Sequence, residues 1–181
     1  ELIYQILNKS DQILLTASWG ITTFAPGGVG YMPISKSTSP SDTLSASGQI
    51  NLWDYTLFSD PAFTWRSEWI EFHQERTLSK QKVGTYLRNP WLAYRLGESL
   101  VIKTFDFNKD DVSAYDFPDL GSNVEVYFDT HMLELEGLSP WKELKPGETV
   151  SHTEKLQVLA IEPDWSHEKV IELVKSAITS G

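Results

Sequence analysis

The sequence contains no cysteine. That absence removes disulfide staples, thiolate metal ligands and a cysteine nucleophile, and it leaves the compartment undetermined. Positive charge is also scarce: 15 Lys+Arg stand against 25 Asp+Glu, a formal net charge of −10. A chain this acidic is not expected to bind nucleic acid, which requires a basic face to displace counterions. No apolar run approaches the ~20 residues that span a bilayer, so no membrane partner is expected either. A charged-then-apolar leader is missing as well. The chain opens on Glu1 and passes directly into a strand-like run, which suggests trimming or cleavage.

Aromatic residues, by contrast, are plentiful. Seven Trp, seven Tyr and eight Phe in 181 residues, with 40% apolar residues overall, can fill one domain's core and argue against intrinsic disorder. Most segments alternate with the two-residue period of half-buried strands. Strands are expected over Leu2–Leu7 and Gln12–Phe24, forming a hairpin about the turn Asn8-Lys9-Ser10-Asp11. Further strands are expected at Gln49–Phe58, Trp69–Gln74, Ser79–Leu87, Trp91–Leu96, Ser99–Phe107, Asn123–Asp129, Leu133–Leu138 and Thr149–Ile161. Val124, Val126 and Phe128 should share one face, with Asn123, Glu125 and Tyr127 on the other. Lys145-Pro146-Gly147-Glu148 reads as a type I or II turn.

Between Ala25 and Ser47 the pattern gives way to Gly, Pro and Ser, including Ser37-Thr38-Ser39-Pro40-Ser41. A loop of that length is functional or mobile. Gly27-Gly28-Val29-Gly30 lacks the Lys-Ser/Thr of a phosphate loop and reads as a turn. Only the end is helical: Asp164 or Ser166 can cap it, and Val170, Leu173, Val174, Ala177 and Ile178 form an apolar stripe. The expected architecture is an antiparallel all-β sandwich or barrel over 1–162, with a helix over 163–181 packed on it.

The four histidines, His73, His131, His152 and His167, form no recognised metal-binding pair, so neither a metal nor a cofactor is expected. His152 and Glu154 share a strand face with Val150, Leu156 and Val158, and the simpler reading is a strand end beyond the core. Glu134 and Glu136 project from one face about 6.6 Å apart, at ~3.3 Å per residue. Two carboxylates that close could keep one pKa raised for proton transfer, although spacing alone favours a solvated strand face. The aromatic-plus-basic set Trp53, Trp65, Arg66, Lys82 and Tyr86 suits a polar-ligand surface. Rings of that kind stack on the apolar faces of sugars while charged groups bond the hydroxyls; core packing explains any one of them alone.

From Asn123 to Gln157 the chain carries Glu125-x-Tyr127, then L-E-x-E-x-L-x-P at Leu133 to Pro140, L-x-P-G-E at Leu144 to Glu148, and H-T-E at His152 to Glu154. This order resembles the end of a galactose mutarotase-like domain, closest to an uncharacterised bacterial family within that superfamily. Ile6-Leu7-Asn8, Thr16-Ala17-Ser18-Trp19, Leu52-Trp53-Asp54-Tyr55, Lys82-Val83-Gly84 and Trp91-Leu92-Ala93-Tyr94 extend the resemblance over most of residues 3–160. It implies a β-supersandwich whose concave sheet binds carbohydrate. Aldose 1-epimerases use a glutamate at the position matched by Glu136, which makes Glu136 the base candidate. The acid histidine of those enzymes is matched by Ser18, which cannot donate a proton as imidazolium does. Glu134, His131 or His152 would have to supply the acid instead.

The same resemblance implies that the chain carries only the later part of a supersandwich, with missing strands supplied by an N-terminal fragment, by a second copy, or by rearranged packing. Three readings follow. The first is a carbohydrate-binding domain built on Trp53, Trp65, Arg66, Lys82, Tyr86, Glu125 and Glu134. The second is a sugar-active enzyme, epimerase or lyase-like, with Glu136 as base. The third is a structural fragment within an assembly.

Overall fold

A computed structural model describes residues 1–35, 46–110 and 112–179. Along the chain the strands are β1 (Leu2–Leu7), β2 (Leu14–Thr16), β3 (Trp19–Phe24), β4 (Val29–Pro33), β5 (Asn51–Leu52), β6 (Phe63–Trp65), β7 (Trp69–His73), β8 (Gln81–Thr85), β9 (Trp91–Leu96), β10 (Ser99–Phe105), β11 (Val124–Phe128), β12 (Leu133–Leu138), β13 (Lys142–Leu144) and β14 (Thr149–Ala160). They form an antiparallel sandwich. One sheet has the order β1-β14-β10-β9-β4-β7-β6, the other β3-β12-β11-β8-β5, and β13 pairs with β2 at the margin.

Side-chain alternation builds three layers. Val83 on β8, Val124, Val126 and Phe128 on β11, and Leu133 and Leu135 on β12 point inward against Met32, Ile70, Phe72, Leu92 and Tyr94 of the seven-stranded sheet. The other parity of that larger sheet (Tyr31, Trp69, Trp91, Ala93, Leu100 and Ile102) is covered by Val170, Ile171 and Val174 of the C-terminal helix His167–Thr179. The helix starts at Ser166, whose Oγ accepts a hydrogen bond from the Lys169 N–H at 3.3 Å. The stripe read from the sequence is therefore the docking face, and Ser166 rather than Asp164 is the cap.

Several expectations change. Leu2–Leu7 and Gln12–Phe24 do not form a hairpin: β1 pairs with β14, β2 with β13 and β3 with β12. Each of these early strands takes as its antiparallel partner a strand far along the chain. Within Ala25–Ser47, residues 36–45 lie outside the described residues, Ser37–Ser41 among them. The start of that stretch is not loop: β4 sits centrally between β9 and β7. Gly30 suits it because a Cβ there would stand 2.9 Å from Leu133 Cδ1. Strands β6 and β13 were also not foreseen. The turn Lys145–Glu148 closes with the Glu148 N–H donating to the Lys145 carbonyl at 3.0 Å, and Gly147 takes φ 82°, as the third position of a type II turn requires.

His152 and Glu154 are not beyond the core. Both are buried on the inner face of β14, where Glu154 Oε1 lies 3.0 Å from the Nζ of the fully buried Lys103 and 3.5 Å from His152 Nε2. Lys103 also donates to the carbonyls of Gly20 and Leu135, each at 2.9 Å. Gly137 leaves the necessary room, since a Cβ there would lie 2.5 Å from Glu154 Oε1. Burial works to raise the Glu154 carboxyl, but its contacts with His152 and Lys103 prevail and hold it below its ordinary value. Among the described residues, no helix is long and apolar enough to cross a membrane.

Candidate functional site

The outer parity of the five-stranded sheet is polar and aromatic. Register sets Glu125 of β11 directly opposite Glu136 of β12, and Tyr127 opposite both Lys82 of β8 and Glu134 of β12. Lys82 is thus diagonal to Glu125, a separation that a lysine side chain spans easily. Its Nζ lies 2.8 Å from Glu125 Oε2 and donates a 2.8 Å hydrogen bond to Glu136 Oε2. Two indoles enclose the ammonium: its Nζ is 4.8 Å from the Trp19 ring centroid and 4.7 Å from that of Trp53. Cations favour the negative face of an indole, so the geometry holds both rings as well as the charge.

Each ring is positioned from below. Trp19 begins β3 opposite Leu138, and its Nε1–H donates to Glu136 Oε2 at 2.5 Å. Trp53 sits in a turn after β5, where the Thr56 N–H donates to its carbonyl at 2.8 Å. Thr56 Oγ1 then bonds the Lys82 carbonyl at 2.5 Å, which ties that turn to β8. Glu134, partly buried on the same face, accepts a bond from Thr23 Oγ1 at 3.2 Å.

The charges do not balance, because one ammonium serves two carboxylates. Glu125 and Glu136 are both fully buried, and among the described residues Oε1 of each has no hydrogen-bond partner. Burial pushes the Glu125 carboxyl up to about 8; the Lys82 ammonium pulls against this and the Glu136 carboxylate adds to it. Near neutrality, therefore, a proton on Glu125 removes the surplus negative charge. Desolvation works against the Lys82 charge, but its bonds to Glu125 and Glu136 prevail and raise its pKa. Burial also raises Glu134.

The structure brings together Trp53, Lys82, Glu125, Glu134 and Glu136 from the residues singled out in the sequence. It does not bring Trp65, Arg66 or Tyr86 to them. Trp65 is on β6, at the edge of the other sheet, stacked on Phe58 at 5.2 Å. Arg66 follows it and its Nε lies 2.8 Å from Glu71 Oε1. Tyr86 lies past the end of β8 in a cluster with Phe107 and Phe117. The carboxylate pair also differs from the one that spacing suggested: Glu136 meets its cross-strand partner Glu125, and neither is solvated.

Two of the proposed acid donors are elsewhere. His131 is exposed in the β11–β12 turn and His152 lies with Lys103 between the sheets. Ser18 is buried, with its N–H bonded to Ser139 Oγ at 2.8 Å. Trp19 was missed as a site residue. Its signal is parity: it alternates with Ile21 and Thr23, which register places opposite Glu136 and Glu134.

Chemically, the arrangement offers a rigid pair of indoles over a neutralised charge cluster, bordered by Glu134, Thr23 and Tyr127. The carboxylates beneath hold it in place rather than face outward. No protein-family profile, no curated protein and no solved structure matches this chain, so the resemblance to galactose mutarotase-like proteins has no support from relatives.

Proposed function

We propose that the outer face of the five-stranded sheet is a carbohydrate-binding surface centred on Trp19 and Trp53. The supporting observation is the pair of indoles fixed around the Lys82 ammonium, with Trp19 left 53% exposed beside polar side chains. An exposed tryptophan has a large apolar face for the C–H side of a pyranose. Glu134, Tyr127 and the half-buried rim supply donors and acceptors for hydroxyls, and rings already held in place lose little entropy on binding. The supersandwich form and the galactose mutarotase-like kinship belong to this same proposal.

A binding role is favoured over catalysis because a general base must reach the proton it removes. Glu136 is fully buried under Trp19 and Lys82. One observation does favour an enzyme: a protonated Glu125 opposite Glu136 is an acid–base pair in waiting. In that reading a sugar would displace Lys82 and take its place between them.

The test is titration of the folded chain with glucose, galactose, mannose and their oligosaccharides, followed by tryptophan fluorescence and calorimetry. Trp19→Ala and Trp53→Ala should each weaken binding by about tenfold, equivalent to ~1.4 kcal/mol, with circular dichroism unchanged. No saccharide response, or affinity untouched by both variants, overturns the proposal. Polarimetry on fresh α-glucose and α-galactose decides between the readings: a rate equal to that in buffer excludes mutarotation.

A further inference from the structure

On the opposite side of the molecule, where the helix meets the seven-stranded sheet, strand β7 turns Trp69, Glu71 and His73 toward the helix. His167, the first residue of that helix, comes down on them. Glu71 Oε2 lies 3.0 Å from His73 Nε2 and 3.8 Å from His167 Nε2. Potential ligand atoms of all three residues fall within 4.8 Å of one another. We propose that Glu71, His73 and His167 bind a divalent transition metal ion that fastens the C-terminal helix to the sheet.

The donor set and its supports both favour this. Two imidazoles and one carboxylate suit zinc and its neighbours rather than magnesium or calcium. Tetrahedral ligands at ~2.0–2.1 Å from zinc stand about 3.3 Å apart, between the two separations observed. His167 keeps a side chain 28% exposed, so it is free to make the small inward movement that is needed. The other oxygen of Glu71 is occupied: Arg66 Nε donates to Oε1 at 2.8 Å and Trp69 Nε1 at 3.1 Å. Oε2 is thereby aimed at the histidines. Tyr31 Oη lies 2.8 Å from His167 Nδ1, which occupies that nitrogen and leaves Nε2 for the metal. Outer contacts of this kind orient metal ligands generally.

A cavity of about 310 Å³, lined by His73, His167, Arg95, Trp165 and Glu75 among others, gives an entry path and room for a further ligand. Arg66 and Arg95 add positive charge nearby, which Glu75 and Glu168 offset in part. Without metal, His73 Nε2 hydrogen-bonds Glu71 Oε2 at 3.0 Å while His167 Nε2 stands 3.8 Å from the same oxygen; the cation would take the place of that one bond.

Zinc chloride alone is the probe. Calorimetry on the metal-free chain should give one Zn²⁺ per chain with micromolar or tighter affinity. The melting temperature should rise by ~5 °C at a hundredfold excess over the dissociation constant, whereas Mg²⁺ should leave it unchanged. His167→Gln, at a partly exposed position, should lower affinity at least tenfold with circular dichroism unchanged, while His131→Gln leaves it as it was. Binding weaker than about 100 μM, or binding that survives His167→Gln, would refute the site. Saccharide titration reads the other sheet, so either proposal can fail without the other.

Discussion

Replacing Glu125 by glutamine should leave the protein as stable as the parent in mild acid and make it more stable in mild alkali. Glutamine keeps the shape of the protonated side chain and an acceptor for Lys82, but cannot ionise. In the parent, the carboxyl rises from an ordinary 4.5 to about 8 in the folded state. Between those values the folded chain holds a proton that the unfolded chain has released. Folding stability therefore falls as pH rises through this window, by at most ~1.4 kcal/mol per pH unit. Across the full gap the ceiling is about 5 kcal/mol. Relaxation and water penetration around a buried carboxylate reduce that to roughly 2–3 kcal/mol.

Glu136, Asp119 and Lys82 are the charges that face Glu125. Two are acids that sharpen the effect, and Lys82 stays cationic throughout the window. His167, lowered by its burial, acts in the opposite direction below its ordinary value of 6.5. Because that contribution is common to both proteins, the difference between them isolates Glu125. The assay is urea unfolding followed by tryptophan fluorescence at pH 5, 6, 7 and 8.5, alongside thermal melts. At pH 8.5 the Glu125→Gln protein should melt ~5–10 °C above the parent, and at pH 5 the two should nearly coincide. A variant destabilised equally at every pH would refute the charge count of one ammonium to two carboxylates.

Two further outcomes follow from buried contacts. Lys103→Met should cost about 3–5 kcal/mol, because it strands the Glu154 carboxylate between the sheets, and Lys103→Met with Glu154→Gln should recover much of that loss in denaturant titrations. Ser166→Ala removes the helix cap and should cost ~1 kcal/mol, read as a fall of a few degrees in the melting temperature and as faster amide exchange in the first helical turn.

The fold was legible wherever one face is buried and the alternation is clean. Trp91–Leu96 and Leu133–Leu138 match their strands to the residue, and Val124, Val126 and Phe128 point inward as their parity demands. Strand β4 was hidden because Gly28 and Gly30, which read as turn residues, are there for close approach: a Cβ on Gly28 would collide with the Arg95 carbonyl and the Tyr94 ring. The hairpin expectation failed for a related reason. Local pattern shows which residues make a strand, whereas the partner is decided by distant complementarity. The same limit applied to the site. Lys82 and Glu136 were within reach of composition and resemblance, but the Glu125–Glu136 pairing is a property of register, and Trp19 became visible only once β3 was set beside β12. Glu71 and His73 stand two apart on one strand but went unread as a pair, and His167 joins them from almost a hundred residues away.

The pairing of β1 with β14, β2 with β13 and β3 with β12 also governs how the molecule is made. On a ribosome the segments of β1, β2 and β3 emerge long before their mates and must wait with their backbone N–H and C=O groups unpaired. Loop-closure entropy is charged in full before these contacts give anything back, so folding should be slow and late for a chain of this size. What this wiring imposes is a period during synthesis in which early strand edges stand open.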